Sequence, residues 1–403
     1  MNKFINESKR HFTLDVTLIV LLFALFGISL VAIHLAAPLM NQDGGVNLVI
    51  KQISWIVVGL GVVAFLLKIG VDRIFTAVDI AYWILIVCLL GLVIARVLSS
   101  RFGIHIPFAA EINGTHAWYS IPGIGSFQPS EFMKIVLVIK TANTIHEHNT
   151  LKTEYSFKSD FELIFKMIKY VLPPFILIFL QPDTGVPIVI LVSLATMFFL
   201  SGVRREWFIV IVGLALGLLL GIVWLYYNNQ ELLNTILGGG ATHYRLTRFY
   251  GWLDYEKYPQ TYGYQLFQAL LSLGTAGLTG HPLGSVIAQF PEPQTDFIFA
   301  VISQNFGFLG ASLVVILSFA FDIKLVVNTL RSNLSKERYM MMGIIGMIVF
   351  QDLQNIGMIL GILPITGITL PFISYGGSSL VSYMIPIAVA LHMYSETVNL
   401  HKH

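Results

Sequence analysis

The stretch PEPQTDFIFA, Pro291 to Ala300, sets a carboxylate, Asp296, directly ahead of an apolar run that continues to Phe321. An acid at the mouth of an apolar helix can act as a general base, and partial burial makes it a better one by raising its pKa. It can equally cap the helix, the commoner fate of an aspartate in that place. A second acid stands in FQPSEFMK, Phe127 to Lys134. Pro129 suits the first turn of a helix, Glu131 complements the positive helix end, and Lys134, three residues on, shares its face. Spacing favours a local ion pair that snorkels outward; the alternative is a cation turned into an interior cavity toward an anionic headgroup. Arg245 and Arg248 also lie three apart. Beside Trp252 they read as interfacial anchors, or as guanidinium groups placed for phosphate. Asp183, between Gln181 and Gly185, reads first as a turn residue. Asp352 lies deep in an apolar run next to Gln351, with Asn355 one turn on. An acid there is a functional candidate or a hydrogen-bond partner for a neighbouring helix, and the two readings balance. The histidines at 116, 243 and 281 lack metal-ligand spacing, and the single cysteine, Cys88, excludes a disulfide and a cysteine metal site.

The elements that must position these groups are membrane spans. Of 403 residues, 56% are hydrophobic and 11% charged, against about 25% charged in a soluble domain. The fold class is therefore all-α, a polytopic membrane protein forming one domain over 1–403. A net charge of +2 gives no reason to expect nucleic acid. Apolar runs near 14–38, 47–67, 78–98, 129–146, 168–182, 184–202, 207–227, 296–321, 339–362 and 378–396 predict about ten transmembrane helices. The first is longer than a signal peptide's apolar core and reads as a retained span. With both termini cytoplasmic, inner segments carry sixteen Lys and Arg and outer loops four, the bias expected of that orientation. Three outer segments then stand out, at 99–128, 228–295 and 363–377. Loops of such length are more often functional than connective, which puts the chemistry at the outer face. The glycines at 274, 277, 280 and 284 predict turns or close backbone approach in the longest of them. No Walker motif or dinucleotide fingerprint is present.

The ordered motifs GTHAWYSIPGIGSFQPSEFMK, QPDTG, RFYGWLD, GYQLFQALLSLGTAGLTG, PEPQTDFIFAVI, QNIGM and LPITGITLPFISYGGSS resemble the SEDS family (shape, elongation, division and sporulation) over essentially the whole chain. QPDTG and PEPQTDFIFA look closer to the RodA-like branch, with the FtsW-like division branch as the alternative. The resemblance implies a peptidoglycan glycosyltransferase that polymerises lipid II, a disaccharide-pentapeptide on an undecaprenyl pyrophosphate carrier, into glycan strands for elongation and shape. The family's essential carboxylate falls on Asp296, expected to be the catalytic residue, and its motif tryptophan, acid and lysine fall on Trp118, Glu131 and Lys134; with Asp183, Arg245, Arg248, Ser374, Gly376, Gly377 and Ser378 these make the expected substrate-binding set. No cofactor is assigned, and a divalent cation stays open. The implied partners are a class B penicillin-binding protein (a transpeptidase with one span), lipid II with its growing glycan strand, and membrane lipid. A single-span partner needs a seam of small residues, and Gly307, Gly310, Ala311, Ser312, Gly343 and Gly346 offer one on lipid-facing spans.

The chain departs from the family in three places. SQNFG, Ser303 to Gly307, puts Gln304 and Asn305 where an acidic pair is common. Ala117 replaces an arginine before the motif tryptophan, and Asp352 stands where no acid is expected. Two other classes compete with a polymerase: a lipid II flippase, which would spread polar groups through the membrane depth, and a non-catalytic scaffold for the transpeptidase.

Overall fold

The computed structural model describes residues 12–400 apart from 41–44, 105, 110, 112–114, 122–124, 153–155, 182, 184, 238–240 and 290; the side chains of 45, 121, 237, 241–245 and 247 also lie outside the description. Long helices coincide with the ten apolar runs: α1 (Val16–Ala36), α2 (Gly45–Ile69), α3 (Asp72–Phe102), α4 (Pro129–Leu151), α5 (Phe157–Phe179), α6 (Gly185–Leu200), α7 (Glu206–Asn228), α11 (Ile298–Arg331), α12 (Ser335–Ile359) and α13 (Gly377–Leu400). Among the described residues, α1, α2, α3, α7, α11, α12 and α13 are long and apolar enough to cross a membrane. The helix α6 is apolar but short, and α4 and α5 mix charged with apolar residues.

Helix α4 begins at Pro129, where a missing N–H leaves no donor unpaired, and α3 stops at Gly103 in the left-handed conformation. The main helix contacts are α13 with α2, α12 with α6, α1 with α11 and α3 with α4. The helices α4, α12 and α13 bury much of their length, polar groups included, and α11 buries Gln304, Asn305, Asp322 and Asn328 as well. In contrast, α7 presents almost its whole apolar length outward. Such a surface suits lipid tails, which reward burial no better than another apolar helix would.

Two of the long segments between spans hold more structure than the apolar runs foretold. In 99–128, β1 (Tyr119–Ile121) and β2 (Gly125–Phe127) form an antiparallel hairpin with Tyr119 opposite Phe127. In 228–295 lie α8 (Gln230–Leu237), α9 (Ala241–Leu253) and α10 (Tyr264–Ala276). Their mixed faces fall short of a span and pass for loop in a search for long apolar runs.

Two glycines shape α11. Gly307, at φ 59°, breaks its helical path, and a Cβ there would lie 2.5 Å from the Gly280 nitrogen. A Cβ on Gly280 would lie 2.3 Å from the Asn305 carbonyl carbon. The two backbones touch, which only glycine permits on either side. Gln304 and Asn305 hold the same turn. Gln304 donates to the Ser285 carbonyl at 2.7 Å, and Asn305 Oδ1 accepts from the Gly284 N–H at 2.9 Å. The amides that depart from the family's acidic pair are thus straps for 280–285.

Gly343 and Gly346 do not form part of a lipid-facing seam. A Cβ at Gly343 would lie 2.6 Å from Met197 Sδ, and one at Gly346 2.5 Å from Thr196 Oγ1. Both glycines admit α6 against α12 inside the bundle, which corrects the seam expected from their spacing.

Candidate active site

The three long segments between spans, 99–128, 228–295 and 363–377, converge on one cavity of about 550 Å³. Trp118 comes from the stretch before the hairpin, Arg248 and Asp296 from 228–296, and Gly367, Tyr375 and Gly376 from the segment before α13. Glu131, Lys134, Asp183, Gly377 and Ser378 line it as well, and Ser374 lies directly beneath the lining. Arg245 belongs to α9, one turn before Arg248; its side chain lies outside the described ones.

The Asp296 loop is fastened to the segment before α13. Asn355 donates through Nδ2 to the carbonyls of Asp296 at 2.9 Å and Ile368 at 2.7 Å. The Ser374 hydroxyl donates to the Thr295 carbonyl at 2.6 Å, and the Tyr375 N–H donates to the Gln294 carbonyl at 2.8 Å. Ser374 is therefore a fastener of the loop, placed behind the cavity wall.

Asp296 is not a helix cap. Phe297 occupies the cap position of α11, and no side chain caps it. The Asp296 carboxylate instead accepts from the Thr295 hydroxyl at 3.0 Å. It is 9% exposed. Burial pushes its pKa up to about 6, against the pull of the Arg248 guanidinium, which favours the charged form. The two groups approach over the bare face of Gly367: a Cβ there would lie 3.1 Å from Arg248 Nη1 and 3.6 Å from Asp296 Oδ2. Gly367 also has φ 73°, so glycine serves both the turn and the approach.

A second charged group lines the cavity as well. Lys134 donates to Glu131 at 2.6 Å and to the Tyr383 hydroxyl at 3.0 Å, and its ammonium lies 4.2 Å from the Tyr383 ring centre. Tyr383 in turn donates to Gln351. The ion pair expected from spacing is present, but the lysine does not snorkel outward. It is 1% exposed and built into the bundle. Asp183 accepts from Gln128 at 3.1 Å and from the Val186 N–H at 3.2 Å. It is thus the turn residue at the start of α6 and a cavity group together. Burial raises its pKa to about 6, with the Val186 hydrogen bond acting the other way.

Ser378 and the two glycines shape the wall. Ser378 accepts from the Gln128 N–H at 2.9 Å and donates to the Ser126 carbonyl at 3.2 Å, tying the hairpin to α13. A Cβ on Gly377 would lie 2.3 Å from the Trp55 ring, so that position is reserved for the indole. Asp352 does not line the cavity. It hydrogen-bonds Asp322 of α11 in the bundle interior, which matches the structural one of its two readings. Sequence reasoning passed over Lys51, Gln128, Glu292, Gln294 and Thr295, which also line the cavity. Lys51 had a signal, a lone cation early in the second apolar run; the last three lay inside the PEPQTDFIFA stretch itself.

Residues 14–398 match the family model for FtsW, RodA and SpoVE, described as cell cycle protein. Stage V sporulation protein E of Bacillus subtilis is 31% identical over 337 residues, covering 81% of this chain and 84% of that protein. A probable peptidoglycan glycosyltransferase FtsW of Haemophilus influenzae is 34% identical over 302 residues, with 72% and 70% covered. A solved chain from work on polymerization and crosslinking by a peptidoglycan synthase complex superposes with TM-score 0.70 at 25% identity, covering 96% of this chain and 99% of that one. The Thermus thermophilus rod shape determining protein RodA shares the fold, with TM-score 0.62 at 23% identity over 95% and 97% of the two chains. With its motifs gathered around one cavity and the family model spanning nearly its whole length, this chain belongs to the FtsW/RodA/SpoVE family of cell cycle proteins.

Proposed function

We propose that this protein polymerises lipid II by an inverting glycosyl transfer, with Asp296 as general base. The observation that carries the reading is Asp296 itself: a buried carboxylate with a pKa of about 6, facing a cavity at the end of a membrane bundle, with Arg248 beside it. The 4-hydroxyl of the acceptor N-acetylglucosamine attacks the anomeric carbon of the donor muramic sugar. Asp296 takes the hydroxyl proton, a contribution typically of about 10²–10⁴ in rate. The new C–O bond forms on the face opposite the pyrophosphate, so an α linkage becomes β and undecaprenyl pyrophosphate leaves with the bonding pair. Cations complete the arrangement by stabilising the leaving group. Arg248, which lines the cavity beside Asp296, would take that task, with Arg245 on the same helix; Lys134, paired with Glu131 and Tyr383, would add its charge from within the wall.

The outward orientation of the cavity follows from the charge bias of the loops and belongs to the same proposal. So does a transpeptidase partner, which the likeness to a chain of a peptidoglycan synthase complex supports. The QPDTG and PEPQTDFIFA motifs favour a role in elongation over division. Depletion in the native host that rounds the cells supports that role; filaments with blocked septa would reassign it to division.

The deciding experiment is polymerisation of purified lipid II in detergent by the wild type and by Asp296→Asn. Glycan strands from the wild type alone support the reading. No strands from a folded wild-type protein, with lipid II flipping in liposomes, would replace it with transport.

A further inference from the structure

Lys51 lies less than two turns from the start of α2 at Gly45, about 9 Å along the axis at about 1.5 Å per residue. It lines the cavity together with Trp55, one turn on and on the same helix face. Among the described residues, no hydrogen bond or ion pair engages its ammonium. The other cavity cations are committed, Lys134 to Glu131 and Tyr383 and Arg248 to the side of Asp296.

The ammonium is free, but the backbone that carries it is not. Gln52 is fully buried. Its amide nitrogen donates to Ser29 Oγ at 3.3 Å and to the Ser374 carbonyl at 3.4 Å, and its oxygen accepts from the Gly376 N–H at 3.4 Å. The Trp55 ring packs on Gly377 and on the hairpin, where a Cβ on Gly125 would lie 3.1 Å from it. One turn further, a Cβ on Gly59 would lie 2.7 Å from Met384 Cγ of α13. The helix α2 is thus pinned to α13, to the segment before it and to the hairpin.

The neighbouring stripe of α2 is apolar. Ile50, Ile53 and Val57, at helical spacing, are exposed, and on a helix long and apolar enough to cross a membrane such a stripe meets lipid tails. Lys51 is itself exposed while lining the cavity, so it marks the edge where the cavity wall meets lipid. A ligand whose anionic group enters the cavity while its hydrocarbon chain stays in the membrane must cross such an edge.

The glycosyl transfer proposed above needs two ligands of that kind at once. Arg248, beside Asp296, serves the leaving pyrophosphate of the donor. The acceptor presents its 4-hydroxyl to Asp296 and carries its own pyrophosphate at the far end of its disaccharide, two sugar rings away. A cation for that group must stand apart from the Asp296 loop. The segment 374–377 separates Lys51 from that loop: Gln52 holds it on one side, and the Ser374 hydroxyl holds the Thr295 carbonyl on the other. We propose that Lys51 binds the pyrophosphate of the acceptor, at the edge where the acceptor's polyprenyl chain passes into lipid. The inference rests on the proposed glycosyl transfer.

The test separates the two roles of lipid II in a single coupling by the purified protein in detergent. The donor is lipid II deoxygenated at the 4-position of its N-acetylglucosamine, which cannot accept. The acceptor is a lipid II analogue with methylene in place of the anomeric oxygen, which keeps its anionic group but cannot lose it. Lys51→Met is expected to raise the KM for the acceptor roughly tenfold, the scale of one lost charge-assisted contact, and to leave the KM for the donor in place. Lys51→Arg, which keeps the charge, should stay near the wild type, and Lys51→Gln reads the same way as Lys51→Met should the methionine variant not fold. An unchanged acceptor KM overturns the proposal, and so does a donor KM that rises as much or more, which would assign Lys51 to the leaving group. The coupling is repeated with anionic phospholipid added, because a lysine near the end of a span also snorkels to lipid phosphates. A deficit that appears only with the phospholipid present makes Lys51 a membrane anchor and overturns the proposal. A wild type that makes no coupled product removes the proposed function, and this inference with it.

Discussion

The Asn355 carboxamide nitrogen spans two segments, donating to the Asp296 carbonyl at 2.9 Å and to the Ile368 carbonyl at 2.7 Å. One buried side chain near the end of α12 thereby ties the loop that bears the base to the segment before α13. Both hydrogens of the amide are used, so no substitution that lacks two donors can replace it. Asn355→Leu leaves two buried carbonyls without donors, each at a cost of about 1–3 kcal/mol. A lowered melting temperature and a polymerisation rate reduced at least tenfold are expected. Asn355→Asp, similar in shape but without the amide donors, should fare no better. Full activity of either variant in the lipid II assay would show that the loops hold their places without it.

Lys134 and Glu131 invite a different experiment, because a buried ion pair behaves asymmetrically. Removing one partner strands the other charge, typically at about 3–5 kcal/mol, whereas replacing both is often neutral. With the pair at 2.6 Å and the lysine 1% exposed, Lys134→Met should destabilise the protein strongly. The double variant Lys134→Met/Glu131→Gln should recover most of the melting temperature and none of the polymerisation. Recovered activity in the double variant would reduce the pair to a structural strut.

Gly343 and Gly346 lie against α6, with Met197 and Thr196 inside the space that a Cβ would need. Leucine at either position must drive α6 and α12 apart, an overpacking cost of about 1–3 kcal/mol or more. The expected result is loss of thermal stability in the isolated protein, measured with no partner present. A variant as stable as the wild type, yet deficient in co-purifying a transpeptidase, would return these glycines to a lipid-facing seam.

These cases show what the residues alone could convey. Apolar length made the helices legible, since about 20 apolar residues have few fates other than a span. The chemistry was legible as types and spacing: the Glu131–Lys134 pair follows from i to i+3 on a helix. Direction was harder. Whether Lys134 turns outward or inward depends on Tyr383, 249 positions away in the chain, and no local rule contains that. The same holds for Gly346, whose neighbour Thr196 is distant in sequence. Asp296 was ambiguous between cap and base because both fates begin with an acid before a helix. The fastening by Asn355 and Ser374, which shifts the helix start to Phe297 and Ile298, resolved it.

Asp296 and Arg248 determine the pH dependence. A general base must be ionised, so kcat/KM should rise through a pKa near 6, the value burial imposes on Asp296. Arg248 holds that pKa down by favouring the carboxylate. Arg248→Gln should therefore move the acid limb to higher pH, besides weakening the hold on the pyrophosphate. Thr295→Val, which deletes the hydroxyl donated to Asp296 Oδ1 at 3.0 Å, should move it the same way without touching the pyrophosphate. Stability runs opposite to activity. The folded protein keeps the Asp296 proton up to about pH 6, whereas the unfolded chain releases it near the ordinary value of 3.8. Stability from this group is thus complete below 3.8, falls as pH rises through the window, and stays reduced above 6. At about 1.4 kcal/mol per unit the reduction is about 3 kcal/mol. Asparagine does not titrate, so Asp296→Asn should melt at a higher temperature than the wild type at pH 7.5 and should make no glycan. Inactivity with a gain in stability separates a lost base from a damaged fold. A variant that instead melts lower, or one that polymerises lipid II at the wild-type rate, would count against Asp296 as the base.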